Sequence, residues 1–269
     1  MNTALQALLF DVDGTLADTE DIHRQAFNAA FTDAGLDWNW NRQLYKALLA
    51  VTGGKERIRF YLDHWLWDDP VSAMSADTIA DLHARKTTFY TGMLADGSVA
   101  LRPGVERLMR EALDAGLRLG LATTTTPDNV AALLQHSFSA DTTGWFEVIA
   151  AGSVVPNKKP APDIYNYIMD RMNIAPDRCL AFEDSANGLQ SAGDAGLITL
   201  VTVNAYTDDH DFTAAALVLD TLGEPGQPCH VIAGSPQPGE LVDVEFLRIL
   251  HAEHIARISH HDDEPSLDL

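Results

Sequence analysis

Cysteine is scarce in this chain of 269 residues, which carries only Cys179 and Cys229. Two cysteines build no disulfide framework, and Cys179 lies in a strand-like run, so a reducing, cytoplasmic setting is expected. Basic residues are also few, 18 against 39 acidic ones, for a formal charge of -21. Such a chain is repelled by nucleic acid and by anionic membrane surfaces, and neither is expected as a partner. A phosphorylated small molecule is not excluded, because a metal and a few placed lysines set the field locally. No apolar run approaches the length of a bilayer span. The first apolar stretch has no basic segment before it and runs directly into Asp11, so no signal peptide is expected. Repeats and low-complexity runs are absent too. What remains is a hydrophobic content of 46% with five Trp, enough for a substantial core in one or two domains.

The opening run Leu8-Leu9-Phe10-Asp11-Val12-Asp13-Gly14-Thr15-Leu16 organises the reading. Its unbroken apolar start predicts a strand buried on both faces, ending in a tight loop. Side chains alternate along a strand, so Asp11 and Asp13 leave it toward one side. Two carboxylates at one mouth repel each other unless a cation or a reaction uses them. Either residue alone reads equally well as a cap or a turn Asp.

Downstream, Asp18 can cap a helix ending near Ala34, with Gly35 as its stop. Residues 38–90 hold helical patterns at 44–49, 56–67 and 76–90 without a convincing strand, which predicts a helical bundle inserted after the first strand. Gly92 and Gly97 mark the return. Strand and helix then alternate, with strands at 117–123, 148–151, 179–182, 198–203 and 217–219, and helices starting near Pro103, Pro127, Asp163 and Gly188. The expected fold is therefore α/β, a Rossmann-like parallel sheet core with an inserted helical-bundle cap domain. The core covers 1–17 and 93–269, including a C-terminal extension over 222–269, and the cap covers 18–92. Residues 222–239 are rich in Pro and Gly, 242–258 reads as an amphipathic helix, and 260–269 as a frayed acidic tail. The pair His260-His261 in that tail reads as solvated rather than as a metal site.

Four polar clusters fall at strand exits, where ligands of open parallel sheets sit. The first is Asp11-x-Asp13-Gly14-Thr15. The second, Thr123-Thr124-Thr125-Thr126, offers hydroxyls and backbone amides that suit a phosphate oxygen, or simply a helix cap. In the third, Lys158-Lys159-Pro160-Ala161-Pro162-Asp163, flanking prolines stiffen the loop so that an ammonium is aimed. The fourth, Phe182-Glu183-Asp184-Ser185, places adjacent carboxylates where a hard cation such as Mg²⁺ fits. Acids, hydroxyls, an ammonium and a metal site on one rim are the equipment for moving a phosphoryl group.

These motifs, in this order, resemble the haloacid dehalogenase superfamily of phosphohydrolases. The resemblance implies that Asp11 is the nucleophile and forms an aspartyl phosphate. Asp13 would protonate the leaving oxygen and then activate water. Thr123 and Lys159 would hold the phosphoryl oxygens, with Thr124 beside them on the substrate side. Glu183 and Asp184, with Asp11 and the backbone carbonyl of Asp13, would bind Mg²⁺. In the cap, Glu20 and His23 lie three apart on one helix face. The segment Val51-Thr52-Gly53-Gly54-Lys55-Glu56-Arg57 sets a glycine turn before a basic helix start, and Lys86 lies near the last cap helix's end. Each has an ordinary structural reading by itself. Together with Leu222-Gly-Glu-Pro they resemble the CbbY-type phosphatases of the Calvin cycle, and less closely the β-phosphoglucomutases. This implies a sugar bisphosphate substrate, xylulose-1,5-bisphosphate foremost, whose removal relieves Rubisco of an inhibitor. Glu20 and His23 would meet the sugar, and Lys55, Arg57 and Lys86 the second phosphate. The rivals are a phosphosugar mutase and a non-catalytic phosphosugar-binding protein. A monomer is expected.

Overall fold

The computed structural model describes residues 4–96, 99–139, 141–142 and 144–262. Gly97 and the tail beyond Asp262 lie outside the described residues. Strand β1 (Ala7–Phe10) has all four residues fully buried. Its alternation sends Leu8 and Phe10 into one hydrophobic cluster and Ala7 and Leu9 into another, one on each face of the sheet. Phe10 stacks on Phe182 with ring centroids 4.3 Å apart, which locks β1 to its neighbour.

Around β1 stand β2 (Arg118–Thr123), β3 (Phe146–Ala151), β4 (Cys179–Glu183), β5 (Ile198–Thr202), β6 (Leu217–Leu219) and β7 (Val231–Gly234). Their order is β3-β2-β1-β4-β5-β6-β7, parallel throughout except for the last pair. Because β1 lies inside the sheet with β2 and β4 as neighbours, the first, second and fourth polar clusters emerge side by side. The antiparallel β7 sits within the Pro- and Gly-rich stretch that reads as loop. Three of its four residues are exposed, so it carries no hydrophobic period by which to be found.

Helices α5 (Val105–Asp114), α6 (Pro127–Ser137) and α9 (Val244–Asp262) contribute to one core cluster, α7 (Asp163–Met172) and α8 (Ala186–Asp194) to the other. Helix α9 begins two residues later than expected and continues four past Ile258. The inserted helices are α1 (Glu20–Asp33), α2 (Arg42–Leu48), α3 (Gly54–Trp65) and α4 (Ala76–Ala95). An aromatic cluster of Phe27, Phe31, Trp38, Trp40, Tyr45 and Tyr61 binds α1 to α2 and α3. The expected cap boundary at residue 92 falls inside α4, which runs to Ala95.

The start of α1 differs from expectation. Thr19, not Asp18, occupies the N-cap position, and it makes no side-chain cap bond. Its hydroxyl donates instead to Asp13, at 2.6 Å. Asp18 faces solvent, with Arg102 at 3.6 Å. Arg102 itself is buried and donates to the carbonyls of Gly14, Thr202, Val203 and Asp220. One guanidinium thus fastens the loop after β1 to the end of β5. Loss of this side chain leaves buried carbonyls unpaired, so Arg102→Met should cost about 3–5 kcal/mol in urea unfolding. An unchanged urea midpoint would show that water takes over those carbonyls.

Candidate active site

All four polar clusters deliver side chains to one cavity of about 340 Å³ between the sheet and the inserted helices. Asp11 follows β1 immediately, with 8% of its surface exposed. The loop then turns at Gly14, whose φ of +83° favours glycine. A Cβ at Gly14 would collide with the Asp184 carboxylate and the Asn204 amide, so glycine is required twice over.

Lys159 reaches the same point from the loop before α7. Its ammonium donates to Asp11 at 2.7 Å, to Glu183 at 2.6 Å and to the Ala122 carbonyl at 2.8 Å. Burial alone would lower this pKa, but the two carboxylates outweigh it and raise it. The sequence pair is split, since Lys158 turns away to Glu56 on α3 at 2.7 Å. Tyr165 of α7, unremarkable in the sequence, donates its hydroxyl to Glu183.

Asp11, Glu183 and Asp184 bring ligand oxygens within 4.8 Å of one another, all three residues buried. Burial, with the neighbouring carboxylates adding and Lys159 opposing, pushes Asp11 up to about 8. Burial and the charges of Asp11 and Glu183 likewise raise Asp184 well above its ordinary range. The second oxygen of Glu183 is buried without a hydrogen-bond partner. It faces Gly188, where a Cβ would strike it. Clustered oxygen ligands with an unmet charge and an orphan oxygen fit a hard divalent cation such as Mg²⁺.

Asp13 stands opposite. Burial raises its carboxyl, but His23, Thr19 and Lys86 more than offset this and hold it below the ordinary carboxylate range. His23 Nε2 lies 2.8 Å from Asp13, and His23 Nδ1 lies 2.5 Å from Lys86. Lys86 as donor to Nδ1 requires the N–H of His23 to sit on Nε2, aimed at Asp13. Tyr90 stacks on the His23 ring at 4.0 Å and fixes its plane. Burial drives Lys86 down to about 7, with Arg57 contributing and Asp13 opposing.

The remaining sequence candidates divide. Thr123, Thr124, Glu20 and Arg57 line the cavity. Thr123 is buried and accepts from the Thr125 amide at 3.1 Å. Glu20 accepts from Tyr45, and Arg57 donates to Tyr45 and to the carbonyls of Leu48 and Val51. Lys55 does not join them. It is exposed and lines a separate shallow groove with Arg59 and Asp63. Two residues apart on a helix point to opposite faces, so Lys55 and Arg57 never shared one.

Sequence reasoning missed Thr19, His83, Asn129, Asn187, Asn204, Thr207 and His210. Asn204 stands just beyond the end of β5, so the strand-exit rule applied to a fifth strand finds it. His83 gave no such signal. It lines the cavity against Gly54, and burial, with Lys86, Lys55 and Lys158 adding, pushes it from 6.5 down to about 3. The unfolded chain gains this proton near pH 6.5 and the folded protein only near pH 3. The associated stability is therefore full above 6.5 and lost as pH falls through that window. His83→Gln should lose melting temperature less steeply than the parent protein over this range. Parallel slopes in a thermal-melt series would refute the buried neutral imidazole.

A haloacid dehalogenase-like hydrolase family model matches residues 5–196. The chain belongs to that family. CbbY from a Cupriavidus necator plasmid is 48% identical over 227 residues, spanning 83% of this chain and 88% of that protein. CbbY from Rhodobacter capsulatus is 50% identical over 211 residues, 78% of this chain and 91% of its own. Among solved structures, a mutant of Rhodobacter sphaeroides CbbY in complex with xylulose-1,5-bisphosphate is 45% identical. It superposes with a TM-score of 0.76, covering 81% of this chain and 94% of that one. A Clostridium difficile β-phosphoglucomutase, 19% identical with a TM-score of 0.70 over 94% of this chain and all of that one, shares the fold. The protein is an enzyme of the hydrolase class with an α/β core of haloacid dehalogenase type. Among the described residues no helix is long and apolar enough to cross a membrane.

Proposed function

We propose that this hydrolase removes one phosphate from a sugar bisphosphate, xylulose-1,5-bisphosphate first among candidates, and yields xylulose-5-phosphate. The observation that carries the reading is the buried Asp11, held by Lys159 on one oxygen and flanked by Glu183 and Asp184. The CbbY relatives, one of them crystallised with xylulose-1,5-bisphosphate, support the choice of sugar.

An Asp11 oxygen attacks phosphorus, the bond from phosphorus to the sugar oxygen breaks, and Asp13 gives that oxygen a proton. Asp13 then takes a proton from water as the water oxygen attacks the aspartyl phosphate, releasing phosphate and free Asp11. At rest Asp13 is held ionised, the form suited to the second half. A phosphate entering beside Lys86 offsets its positive charge and moves Asp13 toward the proton-carrying form. Asp11, the Asp13 carbonyl, Glu183 and Asp184 would hold Mg²⁺, which when bound supplies positive charge against the phosphoryl oxygens. Lys159 and Thr123 hold the transferring group, with Thr124 beside them. Glu20 and His23 face the sugar, and Arg57 and Lys86 are the cations left for the distal phosphate. Lys55, outside the cavity, drops from that role.

Phosphate release in Mg²⁺ should be measured across xylulose-1,5-bisphosphate, ribulose-1,5-bisphosphate, fructose-1,6-bisphosphate and β-glucose-1-phosphate. Strong preference for the first is the expected result. Conversion of β-glucose-1-phosphate to an isomer without phosphate release would make the protein a mutase instead.

A further inference from the structure

The segment 204–210 between β5 and β6 belongs to the core in sequence, yet it touches both the acidic cluster and the inserted helices. At one end, the Asn204 side chain donates to Asp184 Oδ2 at 2.7 Å. The same side chain accepts from the Tyr206 amide at 2.9 Å, and the Asn204 amide donates to the Thr207 hydroxyl at 3.2 Å. Asn204 therefore has no freedom to move apart from its turn.

The other end of the segment holds the cap. Tyr206 is buried within the cap's aromatic cluster, edge-on to Tyr45 at 5.9 Å. Its hydroxyl donates to Asp21 of α1 at 2.8 Å. Lys46 of α2 reaches both Asp208, at 2.6 Å, and Asp209, at 2.9 Å. His210 closes the turn back onto the core by accepting from the Ala186 amide, at the start of α8. Only one residue, Ala205, separates the side chain on Asp184 from the ring buried in the cap.

We propose that this segment is a strap coupling metal binding to closure of the cap, with Asn204 as a positioning residue for Asp184. This rests on the reading of Asp184 as a metal ligand. With the cap closed, Tyr206 and the Lys46 bridge hold the turn, and the turn holds Asn204 on one oxygen of Asp184, leaving the other to face Asp11 and Glu183. With the cap open, Tyr206 leaves its aromatic site and the turn loses its anchor, so Asp184 is free to rotate. A closed cap then favours the metal, and by thermodynamic reciprocity the metal favours the closed cap by the same factor.

The test uses Mn²⁺ as the probe, titrated without substrate and followed by electron paramagnetic resonance. The double variant Lys46→Met/Tyr206→Phe removes the cap's polar hold and leaves every carboxylate of the cluster in place. Its Mn²⁺ affinity should fall about five-fold or more. Asn204→Ala should weaken binding at least as much. Combining the three changes should add little, since both routes act through one side chain. Excess Mn²⁺ should restore the double variant's turnover, which a general loss of structure would not allow. Hydrogen exchange in α1 and α2 should slow on adding Mn²⁺ to the parent protein and stay unchanged in the double variant. Unaltered Mn²⁺ affinity in the double variant, while Asp184→Asn loses the ion, overturns the strap alone. Retention of Mn²⁺ by Asp184→Asn overturns the metal reading and the strap with it.

Discussion

Replacing Asp11 with asparagine should lower phosphate release by about 10⁴- to 10⁶-fold, the scale of removing a nucleophile. The amide keeps the shape of the carboxylate but lacks the charge that attacks phosphorus. Binding should survive, because Arg57, Lys86 and the threonine loop are untouched. Folding should survive too. Burial already pushes Asp11 up to about 8, so a neutral side chain relieves a strained charge. Lys159 keeps Glu183 and the Ala122 carbonyl as partners. Quench-flow with a bisphosphate and calorimetric binding of the same ligand separate the two effects. Turnover above one-hundredth of the parent rate would move the nucleophile elsewhere.

Lys159→Met should be the most destabilising change in the site. It leaves Asp11 and Glu183 without the ammonium they share, and breaking a buried pair in this way costs about 3–5 kcal/mol. The sign with pH follows from the carboxylates. With that cation gone, the folded pKa of Asp11 rises further above its unfolded value, so the folded variant binds more protons than the unfolded chain. Its stability must therefore fall as pH rises, and the gap to the parent should widen as pH rises through about 8, where the parent's Asp11 gives up its proton and the variant's does not. Saturating Mg²⁺ should narrow that gap by restoring positive charge to the cluster. Activity should drop by about 10²–10³ from loss of a donor to the phosphoryl group. Urea unfolding at several pH values checks the first claim, and a constant gap across pH would rule out the unpaired carboxylates as its cause.

Much of this was legible from residue order. The apolar run into Asp11, the Pro-flanked Lys159 and the Glu183-Asp184 pair each mark a strand exit, and a parallel sheet gathers such exits on one rim. The cap helices were legible as elements from their periodicity. What escaped depends on contacts distant in sequence. Whether Lys158 or Lys159 enters the site is decided by Glu56, 102 residues away. Asp18 reads as the cap of α1, yet the N-cap position falls to Thr19, whose hydroxyl goes to Asp13, a choice made by the path of the loop. Arg102 and Tyr165 are ordinary residues in the sequence and acquire meaning only from the carbonyls and carboxylate they meet. Lys55 was misplaced for a simpler reason, since a basic cluster was read as one surface without regard to helical phase.

The chain's exit from the core and its return are neighbours. Ala17 pairs with Leu101 across an isolated bridge, and the Arg102 amide donates to the Leu16 carbonyl at 2.8 Å. The insertion therefore leaves and rejoins the core at a single two-stranded stem, and no strand of the sheet lies among its described residues. A stem of this kind is a natural joint for exchange. A different cap with similarly spaced ends could be spliced at residues 17 and 101 without altering the register of any strand. The nucleophile and its lysine would then be inherited unchanged while the sugar-facing wall was replaced. Recombination at that joint offers a route by which one phosphoryl-transfer core acquires new substrates, and the same joint is available to an engineer.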